Sequence, residues 1–192
     1  MSSAALPVVD ALHTVQSEVD AALRSLAETD AAAIAALADA VHDADRVFLL
    51  GAGRSGIALR MTAMRLMHLG LTVFVVGDTT TPAIERGDLL LTASGSGTTT
   101  GIVRAAAVAH ELGAAVATIT TAPASPVAAL SSVIVTVPAA GKLDRSGTAS
   151  AQYAGGLFEQ TVVLLGDALF HTLWQRSGLS ADELWPRHSN LE

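Results

Sequence analysis

The sequence predicts an α/β fold, a three-layer αβα sandwich built on a five-stranded parallel sheet. Five short runs are almost continuously apolar, as strands are when both faces of a sheet are covered. Helical patterns alternate with these runs, which favours parallel crossover connections. The chain has 192 residues and is 51% apolar, so it can bury one sizeable core. We therefore predict a single domain over residues 1–192.

The first two elements are predicted to be helices within about residues 8–43. Apolar residues recur at helical spacing from Val8 to Leu26, which indicates an amphipathic helix. Asp30 then has the position of an N-cap for an alanine-rich helix that ends near Asp43.

The predicted core, about 46–140, contains all five strands. In chain order these are "RVFLLG", "LTVFVVG", "DLLLTA", "AAVATITT" and "VIVTVPA". A helix over Ile57–Leu69 is closed by Gly70, and a second over Gly101–Leu112 is closed by Gly113. The segment "SPVAAL" begins a short helix between the last two strands.

The remaining chain is predicted to form a loop, a long helix and a polar tail. The loop is "GKLDRSGTASAQ", and the helix runs from about Tyr153 to Ser177. The tail "LWPRHSNLE" contains Pro186. Helix and tail together span about 153–192.

Charge and composition exclude several classes of protein. Eleven basic and eighteen acidic residues give a net charge of 11 − 18 = −7, which disfavours nucleic-acid binding. The absence of cysteine excludes disulfides and thiolate metal sites. The N-terminus lacks the basic region of a signal peptide, and polar residues interrupt Leu157–Leu173, the nearest approach to a membrane span. We expect a cytoplasmic protein that binds neither a membrane nor nucleic acid.

Two glycine-rich loops follow strands at the carboxyl edge, where parallel sheets bind ligands. The first, "GAGRSG", has the spacing G-x-G-x-x-G, with Asp78 near the end of the next strand. This loop fits a dinucleotide site, or a tight turn with close helix packing. Its candidate ligand contacts are Gly53, Arg54 and Ser55.

The second loop, "SGSGTTT", lies between a strand and a helix, where amides and the helix dipole favour an anion. Glycines let the amides approach closely, and Ser94, Gly95, Ser96, Thr98 and Thr99 are the candidate contacts. The loop has no lysine, so it is not the phosphate loop of nucleoside triphosphatases. Neutral donors suit a single phosphate monoester, although a flexible Ser/Gly loop is the alternative.

These motifs, in their order along the chain, resemble the 6-phospho-3-hexuloisomerases, a branch of the sugar isomerase (SIS) domains. The resemblance rests on "GAGRSG", "AMRLMHLG", "GDTTTPAI", "SGSGTT" and "RHSNLE", and covers about Arg46 to Glu192. It implies a flavodoxin-like five-stranded sheet, no cofactor and a homo-oligomer, usually a tetramer. The implied reaction interconverts D-arabino-hex-3-ulose 6-phosphate and D-fructose 6-phosphate. It follows formaldehyde fixation by hexulose-6-phosphate synthase in the ribulose monophosphate pathway.

That reaction needs a base, donors for the enediolate oxygens and a grip on the phosphate. The resemblance places the catalytic glutamate at Glu159, near the start of the long helix. Leu157 and Phe158 would desolvate this carboxylate, whereas the helix start would stabilise its charge. A glutamate that merely favours the helix dipole is the structural alternative.

His188 is the second catalytic candidate, because histidine transfers protons near neutral pH. A tail this short and polar is not expected to fold back far, so His188 is a candidate to complete a neighbouring subunit's site; its own site stays open, and an exposed tail histidine is the alternative. Asn190 is a candidate for holding a sugar hydroxyl. Thr79 either binds a hydroxyl or belongs to the turn before Pro82, and Arg54 either binds substrate or forms a structural ion pair.

Three other functions remain open. SIS domains also sense phosphosugars in transcriptional regulators, but this sequence has no basic helix-turn-helix motif. Another SIS isomerase, acting for example on arabinose 5-phosphate or sedoheptulose 7-phosphate, is poorly separated by sequence. A dinucleotide enzyme leaves the second loop without a role. The histidines have no metal-binding spacing, so no metal is expected.

Overall fold

A computed structural model of the protein describes residues 7–141, 144 and 146–191. The two ends of the predicted domain, 1–6 and 192, therefore lie outside the described residues, as do Lys142, Leu143 and Arg145 of the predicted loop. The elements in chain order are α1 (Val8–Thr29), α2 (Ala31–Asp43), β1 (Val47–Gly51), α3 (Gly53–His68), β2 (Val73–Val75), β3 (Leu89–Ala93), α4 (Thr100–Glu111), β4 (Ala115–Thr120), β5 (Val133–Thr136), α5 (Gly156–Ser177) and α6 (Ala181–Leu184). Single 3-10 turns cover Ala128–Leu130 and Trp185–Arg187.

The five strands form one parallel sheet in the order β2-β1-β3-β4-β5. Val47 of β1 pairs with Leu89 of β3, and Leu89 pairs with Ala115 of β4. The chain crosses to one side of the sheet after β1 and to the other side after β3. The predicted α/β fold and its five-stranded parallel sheet are confirmed.

Helices cover both faces of the sheet, and alternate residues along each strand contact opposite layers. Leu49, Leu91 and Ile119 face a layer formed by α2, α3 and α5, with Leu26 of α1 at its margin. Phe48, Leu90 and Val116 face the other layer, where Ile102 and Ala106 of α4 contact them. All five residues of β3 are buried because it lies in the centre of the sheet.

The start of α3 differs from the prediction. This helix begins at Gly53 instead of Ile57, so much of the predicted first loop is its first turn. Gly53 has a left-handed backbone, with φ of +58°. A Cβ on Gly56 would collide with the carbonyl oxygen of Gly51. The glycine spacing therefore allows β1 and α3 to approach closely, which is the packing alternative stated for this motif.

Three further predictions need correction. The long helix begins at Gly156, because Ala154 and Gly155 adopt positive φ of +46° and +85° and so interrupt a helix. Asp30 has the N-cap position of α2, but its side chain instead accepts a hydrogen bond from the amide of Thr136. The tail includes α6, whose capping box of Ser180 and Glu183 is a recognisable sequence signal that the prediction missed.

Candidate functional site

A cleft of about 210 Å³ opens at the carboxyl ends of β1 and β3. This is the place where the chain order reverses in the sheet, and it is where open α/β sheets bind ligands. The helices α3, α4 and α5 all begin at the cleft, so three positive dipole ends converge there. Its lining residues come from four segments of the chain: Ala52, Gly53, Arg54, Ser55, Ala93, Ser94, Gly95, Ser96, Thr99, Ile102, Ala140, Ala154, Gly155, Phe158 and Glu159.

The segment Ser94–Thr99, which we call the anion cup, is a structured turn. The amide of Gly97 donates to the carbonyl oxygen of Ser94 at 3.1 Å and also to Ser94 Oγ at 3.2 Å. The amide of Thr98 donates to Ser96 Oγ at 3.3 Å, and the Thr98 hydroxyl lies 3.0 Å from the same oxygen. The predicted alternative, a merely flexible loop, does not describe this hydrogen-bonded turn.

Hydrogen bonds to β4 fix the direction of the anion cup. The carbonyl of Gly95 accepts from the amide and hydroxyl of Thr121, at 3.1 and 2.8 Å, and from the hydroxyl of Thr120 at 3.1 Å. Among the described residues, the amides of Ser96 and Thr99 have no protein acceptor. A helix start with free amides is an anion-binding arrangement.

Gly97 is required in the anion cup for two reasons. Its φ is +61°, in the left-handed region that side chains rarely adopt. A Cβ there would also collide with the side chain of Ser125, whose hydroxyl is buried beneath the turn. The second glycine of "SGSG" thus lets the turn lie against the segment after β4.

Glu159 and Arg54 form an ion pair across the cleft. Arg54 Nε lies 2.9 Å from Glu159 Oε2, which joins the first turn of α3 to the first turn of α5. The Arg54 side chain is 67% exposed, whereas that of Glu159 is only 19% exposed. The carboxylate is therefore held in one orientation at the wall of the cleft, while the guanidinium remains accessible to a ligand. This contact is the ion-pair alternative stated for Arg54.

Eight of the predicted site residues lie together in the cleft. They are Gly53, Arg54, Ser55, Ser94, Gly95, Ser96, Thr99 and Glu159. Thr98 belongs to the anion cup but does not line the cleft, because its hydroxyl bonds Ser96. Thr79 is exposed outside the cleft, and the neighbouring Thr81 hydroxyl donates to the carbonyl of Val75 at 2.7 Å. Within one chain, Thr79 therefore lies in the turn before Pro82, which is the second of its two predicted alternatives.

His188 and Asn190 lie away from the cleft of their own chain. The His188 ring contacts that of His68 at 4.1 Å between centroids and that of Trp185 at 4.7 Å, and both pairs of rings are tilted. His68 is the last residue of α3, whose first turn lines the cleft. Sixteen residues of helix separate the two ends by about 24 Å. Within this chain, His188 therefore lies far from the anion cup.

Sequence reasoning missed part of the cleft wall. Ala154 and Gly155 line it just before α5, and the signal for them was the "AGG" run that interrupts the predicted helix. The aromatic ring of Phe158 is buried against the cleft and lies 3.6 Å from where a Cβ on Gly95 would be. Phe158 therefore packs against the anion cup at the wall of the cleft.

The acidic residue that a dinucleotide site would need is not in the cleft. Asp78 pairs with Arg60 of α3 at 2.7 Å and does not line the cleft. Both glycine loops meet in one cleft, so the second loop supplies donors that a dinucleotide site would not use.

In the described part of the chain, no helix is both long and apolar enough to cross a membrane.

Comparison with known proteins places this geometry in a family. A family model described as "SIS domain" matches residues 40–152. The chain is 53% identical over 185 residues to a curated 3-hexulose-6-phosphate isomerase from Mycobacterium gastri, covering 96% of this chain and 92% of the relative. It is 38% identical over 157 residues to the 3-hexulose-6-phosphate isomerase of Bacillus subtilis, covering 81% and 85%.

A solved structure agrees with these matches. A protein from Methanococcus jannaschii superposes with a TM-score of 0.80 at 29% identity, covering 95% of this chain and 99% of that one. A molecular function of 3-hexulose-6-phosphate isomerase was inferred for it from its structure. The similarity therefore extends over nearly the whole chain.

Proposed function

We propose that this chain, which belongs to the SIS domain family, is a 3-hexulose-6-phosphate isomerase, the activity also called 6-phospho-3-hexuloisomerase. It interconverts D-arabino-hex-3-ulose 6-phosphate and D-fructose 6-phosphate. One observation carries the proposal: a partly buried carboxylate and an anion cup face the same cleft. The relatives named for this reaction match nearly the whole chain, which favours this substrate over other phosphosugars.

The anion cup binds the phosphate ester in this mechanism. Free amides of Ser96 and Thr99 and the hydroxyls of Ser94 and Ser96 supply neutral donors at the start of α4. Arg54 adds one positive charge that is accessible from solvent. The sugar carbons then extend toward α5, where Glu159 forms the opposite wall.

Glu159 acts as the base in the chemical step. In the direction of fructose 6-phosphate, the carboxylate removes the proton from carbon 2. The carbonyl oxygen on carbon 3 then takes the negative charge of the 2,3-enediolate. Glu159 returns that proton to carbon 3, and the hydroxyl proton moves from oxygen 2 to oxygen 3, which completes the 2-ketose. Donors at the helix starts stabilise the negative charge that develops on oxygen.

Finer parts of the proposal rest on the family resemblance. We assign His188 and Asn190 to the site of a neighbouring subunit in a homotetramer, where His188 transfers the hydroxyl proton. The position of His188 at the far end of α3 supports a role in another subunit. The protein then works in the cytoplasm, beside hexulose-6-phosphate synthase in the ribulose monophosphate pathway.

A coupled assay tests the function. Purified protein is incubated with fructose 6-phosphate and hexulose-6-phosphate synthase, and released formaldehyde is measured. We expect release that depends on both proteins. It should persist when this chain alone has been treated with EDTA and separated from the chelator before the assay. Saturable binding of fructose 6-phosphate without formaldehyde release would contradict the isomerase and indicate a phosphosugar-sensing module. Faster turnover of arabinose 5-phosphate would instead indicate another SIS isomerase.

A further inference from the structure

The carboxylate of Glu18, in the middle of α1, is tied to the segment that leads into α5. Ser150 Oγ donates to Glu18 Oε2 at 2.7 Å, the amide of Ala151 donates to Oε1 at 2.6 Å, and Gln152 Nε2 donates to Oε2 at 3.0 Å. Three donors on one carboxylate form a specific contact between residues more than 130 positions apart in the chain.

The contact continues from this segment to the turn that carries Glu159. The side-chain oxygen of Gln152 accepts from Gln160 Nε2 at 2.8 Å. Gln160 follows Glu159 directly, in the same turn of α5. A continuous set of hydrogen bonds therefore links Glu18 on α1 to the neighbour of the proposed base.

Just after Gln152, two residues at the wall of the cleft have positive backbone φ angles. Ala154 has φ of +46° although it bears a Cβ, and Gly155 follows at +85°. Both residues line the cleft. Such geometry persists when surrounding contacts over-determine it. The hydrogen bonds to Glu18 are contacts of this kind, just upstream of Ala154.

We propose that Glu18 is a positioning residue whose hydrogen bonds to Ser150, Ala151 and Gln152 hold Ala154 and Gly155 at the wall of the cleft and fix the turn of Glu159. We call Glu18 and its three partners the latch. The positioning role rests on the proposed function, whereas the latch itself is a structural contact. Glu18 does not line the cleft, so it acts through α5 and not on the substrate.

Electrostatics agree with a carboxylate that remains charged in the latch. Burial alone would raise the pKa of Glu18, but hydrogen bonds from the amide of Ala151 and from Ser150 and Gln152 outweigh it, so the pKa lies below its ordinary value. The latch is therefore expected to be closed throughout the neutral pH range.

Amide hydrogen exchange tests the latch without reference to activity. Glu18→Ala and Glu18→Gln are compared with Glu28→Gln, a matched change at an exposed position on the same helix. We expect the amide of Ala151 to exchange at least about tenfold faster in Glu18→Ala, less so in Glu18→Gln, and at the wild-type rate in Glu28→Gln. Unchanged exchange in Glu18→Ala would overturn the latch.

Kinetics of the same variants test the positioning role. We expect kcat per folded molecule to fall by up to about 100-fold in Glu18→Ala, because a small displacement of a reacting group has that effect, while KM changes less. Adding Ala154→Gly removes the backbone cost and should restore part of kcat in the double variant. Loss of folded protein alone would leave kcat per folded molecule unchanged.

The two measurements separate failure of this inference from failure of the proposed function. Faster exchange with an unchanged kcat would show that Glu18 only orders the segment, and would overturn the positioning role. If the wild-type protein itself lacks isomerase activity, the proposed function and the positioning role fail together, and the exchange comparison still decides the latch.

Discussion

Glu159 combines limited exposure with a fixed orientation, two conditions for a carboxylate that removes a proton from carbon. The ion pair with Arg54 holds one oxygen, and the Glu159 side chain is only 19% exposed. Glutamine has nearly the same shape but cannot accept a proton. A change at this position therefore tests the chemistry with little change in packing.

We predict that Glu159→Gln lowers kcat by about 10²- to 10⁴-fold, the usual contribution of a positioned base. Binding of fructose 6-phosphate should remain within a few-fold of wild type, because the anion cup is unchanged. The measurements are the formaldehyde-release assay and calorimetric titration. Glu111→Gln, at the exposed end of α4, is the control and should have wild-type kcat. Wild-type turnover in Glu159→Gln would remove this residue from the mechanism.

The sequence identified most cleft residues but not how their side chains are used. The glycine-rich pattern pointed to Ser94 and Gly95, which line the cleft, because a strand-to-helix turn at the sheet edge follows from local residue types. It did not separate Thr98, whose hydroxyl donates to Ser96, from Thr99, which lines the cleft, because both are threonines in the same turn. The contact of Glu18 with Ser150 was also missed, since it joins distant parts of the chain.

The crossing of β1 and α3 depends on contact between two glycine backbones. A Cβ on Gly56 would lie too close to the backbone of Gly51, so the helix would have to move away from the strand. The first turn of that helix carries Arg54 and Ser55. Packing at this crossing therefore determines where those side chains enter the cleft.

We predict that Gly56→Ala destabilises the protein by about 1–3 kcal/mol, the usual cost of overpacking. Thermal unfolding should show a fall in Tm of about 2–4 °C for each kcal/mol at this chain length. Gly101→Ala is a matched helical control, because a Cβ there meets nothing within 4 Å. It should leave Tm unchanged or raise it. Equal effects of the two changes would contradict the proposed role of this backbone contact.

The C-terminal segment docks on the end of α3 through contact between the imidazole rings of His68 and His188. His68 is 4% exposed, and its Nδ1 is buried without a partner among the described residues. Burial, followed by the neighbouring charges of His188 and Arg65, lowers the pKa of His68. Arg187 also faces this histidine and donates to its carbonyl at 3.2 Å. Protonation of His68 would therefore place a charge in a buried and already positive environment.

Docking of this segment should weaken as the pH falls. The pKa of His68 is lower in the folded state than in the unfolded state. The stability that neutral His68 contributes to the docked segment is therefore complete above the unfolded-state pKa of about 6.5, and it is lost as the pH falls below that value. The indole N–H resonance of Trp185, followed by NMR from pH 7.5 to 5, should report the change. His68→Leu should remove this transition and His110→Leu should retain it. A transition that persists in His68→Leu would assign it to another group.

At the level of elements, the alternation of strands and helices was predictable, but several boundaries were not. The apolar runs mark all five strands because both sheet faces are covered. The glycine spacing indicated that β1 and α3 approach closely at Gly51 and Gly56, but it did not show that the helix already begins at Gly53. Likewise, the start of α5 depended on the positive φ of Ala154, a conformation that residues other than glycine rarely adopt.

The whole molecule raises the question of sites shared between subunits, because His188 and Glu159 lie at opposite ends of the sheet. We predict that mixed oligomers of Glu159→Gln and His188→Ala subunits recover part of the activity that each variant alone has lost. Subunits are mixed under denaturing conditions and refolded, and formaldehyde release is measured. Each variant refolded alone is the control. Absence of recovery, with mixed oligomers verified by mass spectrometry, would contradict a shared site.

The convergence of three helix starts on one cleft affects how the protein tolerates changes in its environment. Much of the attraction for an anion there comes from peptide groups, which no side-chain replacement on the outer surface removes. Acidic residues elsewhere on the chain can therefore accumulate, for example during adaptation to high salt or engineering for solubility, while the proposed phosphate site is retained.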